Sequence, residues 1–272
     1  MNVFIYIIIF IMGTVFGSFY TLAVYRIPKK IDITHTHSFC PNCNHKLGFF
    51  ELIPVWSYIF LGGKCKQCKQ KIRIRYFLLE FFSGITFVLL ALALKIDVYN
   101  LDLKLIVEFA FLVLYLVAIF IIAGIDKEKK EIEKSVLYYA LSISAMYIIY
   151  LCIMDSSSIY RYAMYLVALV IMLMIDNINL RKKAKENYII SILILLIIMT
   201  IMTQEVVMTC TGTLTILIIL LVIIIQKLKN VFNKSRKENI DITKKINAGF
   251  YLAISNVISL ISVIFINNWI CI

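Results

Sequence analysis

The sequence predicts an all-α polytopic membrane protein with about eight transmembrane helices and one small cytoplasmic insert that resembles a zinc ribbon. Hydrophobic residues make up 62% of the chain, and its mean hydropathy is +0.91. Several apolar runs reach the roughly 20 residues that a helix needs to cross a bilayer. The sequence has no strands that alternate between polar and apolar residues, so helices are the expected spanning elements. The insert is predicted by four cysteines, which occur as two C-x-x-C pairs in one polar stretch.

The first apolar run covers residues 3–25 and is followed, but not preceded, by basic residues. A cleavable signal peptide has the opposite charge order, so we expect an anchor whose N-terminus lies outside. The polar stretch 26–76, called here the cysteine insert, comes next. The remaining apolar runs cover 77–95, 105–125, 135–153, 160–175, 188–203, 206–226 and 248–271. We therefore expect a first transmembrane helix at 1–25, the cysteine insert at 26–76 and a transmembrane bundle at 77–272.

The positive charges predict the orientation of these spans. With the N-terminus outside, eight spans place four loops in the cytoplasm, and these loops carry 25 of the 28 Lys and Arg residues. Basic residues accumulate on the cytoplasmic side of membrane proteins. The net charge of +12 thus reflects topology, and we expect membrane lipid, not nucleic acid, around the chain. The cytoplasmic loops are 26–76, 126–134, 176–187 and 227–247.

The four cysteines of the insert predict a structural zinc site. Cys40 and Cys43 form one pair, and Cys65 and Cys68 form the other after a gap of 21 residues. Two facing C-x-x-C turns supply the tetrahedral S4 cage that Zn²⁺ prefers, with no position left open for catalysis. Two disulfides, or four unrelated thiols, are the alternatives. Disulfides require an oxidising compartment, whereas the charge pattern places this loop in the cytosol.

One acidic residue stands out as a candidate for catalysis. Asp126 directly follows an apolar run and is expected at the cytoplasmic mouth of the third span, where ionisable groups often serve function. A solvated charge at the start of a charged loop is the alternative. Peptide hydrolysis by carboxyls needs two facing groups, one protonated and one ionised. The candidate partners at the same depth are Asp176, which ends the fifth run, and Glu186, which precedes the sixth.

Other hydrolytic motifs do not occur in the sequence. It contains neither H-E-x-x-H nor G-x-S-x-G. The histidines lie within the cysteine insert, where we expect them to be solvated, or to lie beside the metal ligands, and not to bind the metal. The Gly17-Ser18 pair in the first span favours close helix packing over nucleophilic attack.

Residues 17–80 resemble the type IV prepilin peptidases, also called leader peptidase/N-methyltransferases. Weaker similarity follows at Ile125-Asp126 and in the final span from Ile246 to Ile254. The segments that carry the main resemblance are Gly17-Ser18-Phe19, Tyr25-Arg26-Ile27-Pro28, Ser38-Phe39-Cys40-Pro41-Asn42-Cys43, Glu51-Leu52-Ile53-Pro54, Ser57-Tyr58, Leu61-Gly62-Gly63-Lys64-Cys65-Lys66-Gln67-Cys68, Ile72-Arg73-Ile74-Arg75-Tyr76 and Glu80.

The resemblance implies an aspartic endopeptidase of the bacterial cell membrane, with its active site at the cytoplasmic face. Its substrates would be prepilin-like precursors that have a short basic leader, a glycine before the cut and then an apolar helix. Many members also N-methylate the new terminus, which makes S-adenosylmethionine a candidate cofactor beside structural zinc. By this resemblance, Asp126 is the first catalytic aspartate.

The sequence departs from the family at the second catalytic aspartate. The family carries it in a Gly-x-Gly-Asp motif that opens a later span, and no such motif occurs here. The corresponding position falls on Asn187, or on Glu186 if the register slips by one residue. Glu186 lies 60 residues after Asp126, close to the expected place, so we favour it over Asp176 as the substitute. A homologue that binds prepilins or assembly proteins without cleaving them is the alternative function.

Overall fold

A computed structural model describes residues 2–33, 37–40, 42–97, 102–154, 160, 163–168, 170–171, 174, 184–203, 205–232 and 247–270. Its helices are α1 Asn2–Arg26, α2 Trp56–Phe60, α3 Ile74–Ala93, α4 Leu103–Lys129, α5 Lys134–Met154, α6 Ala184–Met202, α7 Glu205–Phe232 and α8 Ala248–Trp269. Two single 3₁₀ turns are Ile27–Lys29 and Phe49–Glu51. The extended pairing in these residues consists of isolated antiparallel bridges, at Phe39–Lys46 and Lys64–Lys71.

Six helices of the described residues are long and apolar enough to cross a membrane, namely α1, α3, α4, α5, α7 and α8. Of the two remaining expected runs, 188–203 forms the shorter apolar part of α6, Tyr188–Met202. The other, 160–175, is described in part, and its described residues, 160, 163–168, 170–171 and 174, are helical. The all-α multi-pass membrane class is therefore confirmed, while the count of eight spans stays a prediction.

One compact unit comprises Met1–Val113 and Ile264–Ile272, and it contains the cysteine insert. In this unit α1 and α3 cross with their backbones in contact. A Cβ added to Gly13 would lie 2.8 Å from the Cα of Gly84, and one added to Gly17 would lie 2.7 Å from the Cα of Glu80. Gly13 and Gly17 have the G-x-x-x-G spacing that lets membrane helices approach this closely. The prediction that Gly17 serves helix packing is confirmed.

The end of α3 is closed by side chains from the last turn of α8. The Asn268 amide donates a hydrogen bond to the Ala93 carbonyl at 2.9 Å, and the Trp269 indole N–H donates to the Leu92 carbonyl at 3.0 Å. The last carbonyls of a helix have no partner within their own helix. These two bonds therefore satisfy groups that would otherwise be costly near hydrocarbon.

The cysteine insert starts from a buried arginine at the end of α1. Arg26 is buried, and its guanidinium donates to the carbonyls of Asp32, at 2.9 Å, and His37, at 3.1 Å. A buried charged group must be hydrogen-bonded to be tolerated. The first residues of the insert are thereby wrapped around the end of α1.

The second compact unit comprises Leu114–Val263 and is joined internally by a buried polar chain. The Tyr115 hydroxyl on α4 donates to Oδ1 of Asn256 on α8 at 2.6 Å. The Asn256 amide in turn lies 3.3 Å from the Thr211 hydroxyl on α7. Hydrogen bonds of this kind link neighbouring helices in a membrane, so α4, α7 and α8 are held to one another.

The contact of α1 with α3 gives the first prediction. Gly17→Ala places a methyl group 2.7 Å from the Glu80 backbone, so we expect the free energy of unfolding to fall by about 1–3 kcal/mol. Gly212→Ala is the matched control, because a Cβ at that helical glycine would meet nothing within 4 Å. Thermal unfolding in detergent should show destabilisation for Gly17→Ala only. Equal stability of the two variants would contradict the backbone contact.

Candidate functional site

The four cysteines of the insert lie together, as their spacing predicts. All four Sγ atoms are within 4.8 Å of one another. The Cys40 and Cys68 sulfurs are 3.9 Å apart, and those of Cys43 and Cys65 are 4.0 Å apart. A tetrahedral zinc site with bonds of about 2.3 Å has sulfur–sulfur edges of about 3.8 Å, so the cluster fits this ion. A disulfide requires about 2.05 Å, and the cysteines are free thiols.

The two halves of the cluster have the same backbone construction. The N–H of Cys40 donates to the His45 carbonyl, and the N–H of Asn44 donates back to the Cys40 carbonyl, both at 2.9 Å. The second half repeats this pattern, from Cys65 to Gln70 at 2.9 Å and from Lys69 to Cys65 at 3.1 Å. Asn44 and Lys69 are both left-handed, with φ of 56° and 58°. Each tight turn thus directs two sulfurs to one point.

The pKa values of two thiols of the cluster are shifted in opposite directions. Hydrogen bonds from the Gln70 backbone and the Asn42 amide lower the pKa of Cys68 to about 6. The His45 backbone N–H favours the Cys43 thiolate as well, but burial and the three neighbouring sulfurs outweigh it and raise the pKa of Cys43 to about 11. Four sulfurs this close cannot all be thiolates unless a cation balances their negative charge. A bound divalent cation would remove that conflict.

His45 is adjacent to the cluster but is not part of it. Its Nε2 lies 3.1 Å from Oε2 of Glu51, and the same carboxylate oxygen accepts the Gly48 N–H at 2.8 Å. The Nε2 atom of His45 is thus engaged by Glu51, and the prediction that His45 does not bind the metal stays a prediction.

The Asp126 carboxyl lies in the last turn of α4 and is fully buried. Its Oδ1 accepts a hydrogen bond from the Tyr188 hydroxyl on α6, and its Oδ2 accepts one from the Phe250 backbone N–H on α8, both at 2.8 Å. The Gly249 N–H lies 3.3 Å from the Tyr188 hydroxyl. Asp126 is thus held by a phenol and by the first turn of a helix, and it is not a solvated charge.

The start of α8 is built to approach this carboxyl closely. A Cβ at Gly249 would lie 3.2 Å from Oδ2 of Asp126, so a larger residue there would push the carboxyl away. Asn247 precedes the helix, and its amide donates to the carbonyls of Asp126, at 2.8 Å, and Lys127, at 3.0 Å. The Lys127 ammonium lies 4.7 Å from the Phe250 ring centroid. The end of α4 and the start of α8 therefore supply hydrogen-bond partners to each other.

The other predicted site residues are only partly described. Glu186 lies in the first turn of α6, and its side chain is outside the described residues, as is all of Asp176. The residue that the structure does bring to Asp126 is Tyr188, which the sequence reasoning missed. A tyrosine at the start of an apolar run is common at membrane interfaces, so nothing in the sequence distinguished it.

Comparison with known proteins bears on the N-terminal part of the chain. The family described as Bacterial Peptidase A24 N-terminal domain matches residues 11–94. Proteins named prepilin leader peptidase/N-methyltransferase are 37% identical over 86 residues in Vibrio cholerae and 35% over 81 residues in Myxococcus xanthus. The one in Bacillus subtilis is 45% identical over 69 residues.

These matches are partial on both sides. They cover 28%, 30% and 25% of this chain, and 34%, 24% and 28% of the three relatives, in the same order. The chain thus spans about a quarter to a third of the length of the curated relatives it matches. No solved structure matches the chain.

The matched family segment contains all four cysteines and the contact between α1 and α3, and it ends before Asp126. It also contains most of the motifs on which the sequence resemblance rests. Residues 11–94 therefore match the N-terminal domain of bacterial A24 peptidases, and the chain is similar over a comparable length to proteins named prepilin leader peptidase/N-methyltransferase.

Proposed function

We propose that this protein is a membrane aspartic endopeptidase that removes the leader from prepilin-like precursors at the cytoplasmic face. The observation that carries the proposal is Asp126, a carboxyl fully buried at the end of α4 and held by two other helices of the same unit, α6 and α8. Ionisable groups buried at this depth are expensive to keep, and function is the usual reason for them. The names of the relatives that match part of the chain supply the substrate class.

In this proposal Asp126 shares a proton with a second acid, and the pair activates water for attack on the peptide bond. We assign the second role to Glu186 first and to Asp176 next. Asp126 has no exposed surface, so substrate and water reach it only after the Tyr188 hydroxyl or the first turn of α8 moves aside.

The orientation and the domain roles are part of the same proposal. The N-terminus lies outside, and the loops that carry most of the Lys and Arg residues lie in the cytoplasm of the bacterial cell. Residues 26–76 form the zinc-binding cytoplasmic insert, and residues 77–272 form the peptidase bundle. A prepilin can then enter the bilayer beside the bundle, with its basic leader held in the cytosol.

A second candidate function is a homologue that binds prepilins or assembly proteins without cleaving them. One observation favours it: both oxygens of Asp126 already accept hydrogen bonds from Tyr188 and from the α8 backbone. A carboxylate at a helix N-terminus is a stabilising cap. Asp126 would then join α4, α6 and α8 and have no chemical role.

Substitution of Asp126 distinguishes the two candidates. Asp126→Asn keeps the size of the side chain but cannot exchange a proton, so we expect leader removal from a co-expressed prepilin to fall by about 100-fold or more. Glu186→Gln and Asp176→Asn form the parallel test for the second acid, and only one of them should have an equal effect.

The two candidate functions can be distinguished once thermal unfolding in detergent has shown that each variant is folded. A wild-type chain that leaves the precursor intact supports the binding protein. An active Asp126→Asn variant would remove Asp126 from the catalytic pair.

The metal centre gives a separate prediction. We expect about one zinc ion per chain by elemental analysis, lost in the Cys40→Ser/Cys65→Ser double variant. Cys152→Ser/Cys210→Ser is the matched control, because those free cysteines lie outside the cluster. Acidification should also release the ion, since protons compete for the thiolates. A wild-type chain that is folded and free of metal would refute the S4 site.

Methylation of the new N-terminus is the remaining part of the proposal, and the names of the relatives motivate it. With S-adenosylmethionine labelled in its methyl group, we expect label on the cleaved pilin and none on the uncleaved precursor. Complete cleavage without any transfer of label would limit the activity to proteolysis.

A further inference from the structure

The cysteine insert exposes a group of aromatic side chains. This aromatic patch consists of Phe49, Phe50, Trp56 and Phe60, which are 78%, 81%, 56% and 80% exposed. The Phe49 and Phe50 rings meet edge to face at 5.7 Å, and the Trp56 and Phe60 rings stack at 6.0 Å. Large apolar groups exposed together in this way are typical of a surface that binds a partner or a membrane.

The patch has a fixed position relative to the third helix. The Tyr58 ring on α2 packs on Phe77 of α3, with 5.2 Å between the ring centroids. Trp56 and Phe60 are each two residues from Tyr58, so they lie on the opposite face of the helix. The contact that fixes α2 therefore turns the stacked pair of rings away from α3.

A strained turn completes this attachment. Val55 has φ 64° and ψ −54°, and the Trp56 N–H donates to the Pro54 carbonyl two residues back at 2.7 Å. This is a γ-turn with positive φ, which is rare and strained, the more so for a β-branched residue. The Val55 N–H donates to Oε2 of Glu80 on α3 at 2.7 Å. Strain of this kind persists where the surroundings enforce it and often accompanies function.

These contacts fix the position of α2 along α3, near the start of that helix. α3 begins at Ile74 and is one of the helices that can span a membrane. At a rise of 1.5 Å per residue, Phe77 and Glu80 lie about 4–9 Å along the helix from Ile74. The headgroup region of one leaflet is about 5–8 Å thick. If α3 enters the headgroup region at Ile74, Trp56 and Phe60 on α2 lie at the depth where tryptophan side chains concentrate in membrane proteins.

The charge of the surrounding segment indicates which lipid it meets. Residues 37–76 contain seven Lys and Arg residues, and Glu51 is the acidic residue among them. Most of the basic side chains are exposed, namely Lys46, Lys64, Lys66, Lys69, Lys71 and Arg73. Exposed basic groups beside aromatic rings are attracted to anionic headgroups and bind there together.

We propose that the aromatic patch docks the cysteine insert onto the surface of an anionic bilayer, with Trp56 and Phe60 in the headgroup region. The Glu80 carboxylate acts as the positioning residue, because it holds the strained turn that presents them. This docking is independent of whether the chain cleaves a prepilin.

Tryptophan fluorescence tests the proposal directly, because the chain has two tryptophans. Trp269→Phe leaves Trp56 as the single reporter in the full-length protein, reconstituted in vesicles of phosphatidylglycerol and phosphatidylcholine. We expect lipids brominated near the headgroup to quench Trp56 at least about twofold more than lipids brominated near the chain ends. Aqueous iodide should quench it weakly. In phosphatidylcholine alone, the lipid quenching should fall, as it should at high salt.

Two further variants keep the test decisive. If Trp269→Phe does not fold, the same signal is obtained by subtracting the Trp56→Phe spectrum from that of the wild type. Glu80→Ala should loosen the turn and lower the lipid quenching of Trp56 by roughly half or more, whereas Glu131→Ala, an exposed carboxylate in the segment between α4 and α5, should not.

Three results would overturn the proposal. In the first, iodide quenches Trp56 as strongly as a free tryptophan analogue, which means that the patch is in water. In the second, shielding appears only at high protein-to-lipid ratios, which means that a second copy covers the patch. In the third, shielding requires an added prepilin, which means that the patch binds a protein.

Discussion

The carboxyl of Asp126 can be buried only because another helix begins beside it. A carboxylate in the last turn of its own helix faces carbonyl groups and is disfavoured there. The first turn of α8 offers the opposite end of a helix, and its Phe250 N–H bonds the carboxyl directly. Asn247 closes the same junction from the other side by satisfying two α4 carbonyls. The residues of this junction therefore depend on one another.

A related constraint governs the rest of the bundle. In hydrocarbon, each polar group needs an internal partner, and helices can meet closely only where side chains are small. The chain of Tyr115, Asn256 and Thr211 meets the first requirement. Gly13, Gly17 and Gly84 meet the second. Polar and small residues therefore define which helices are neighbours, whereas the abundant Ile and Leu residues define only that they are in the membrane.

The difference between local sequence patterns and contacts made by distant residues explains which features the sequence could predict. The helical membrane class follows from the length of the apolar runs, and the S4 cluster follows from local spacing, since each C-x-x-C turn is complete within six residues. The contact of Tyr188 with Asp126 joins residues 62 positions apart in the chain, and no local pattern encodes it. The turn at Val55 was also unforeseen, because its conformation is imposed by Glu80 from another helix. These two features depend on tertiary contacts and not on the conformational propensities of the local sequence.

The crossing of α1 and α3 has a consequence for the segment between them. Because the two helices are pressed together near Gly17 and Glu80, the ends of the intervening chain are held close to each other. Joining the ends of a long flexible loop costs entropy. Here the contact between α1 and α3 already holds the two ends of the insert together, so the insert loses less entropy when its own structure forms. The affinity of the sulfur cluster for the proposed zinc ion would thus be coupled to the contact between α1 and α3. Loosening a glycine contact would weaken metal retention without altering a single ligand.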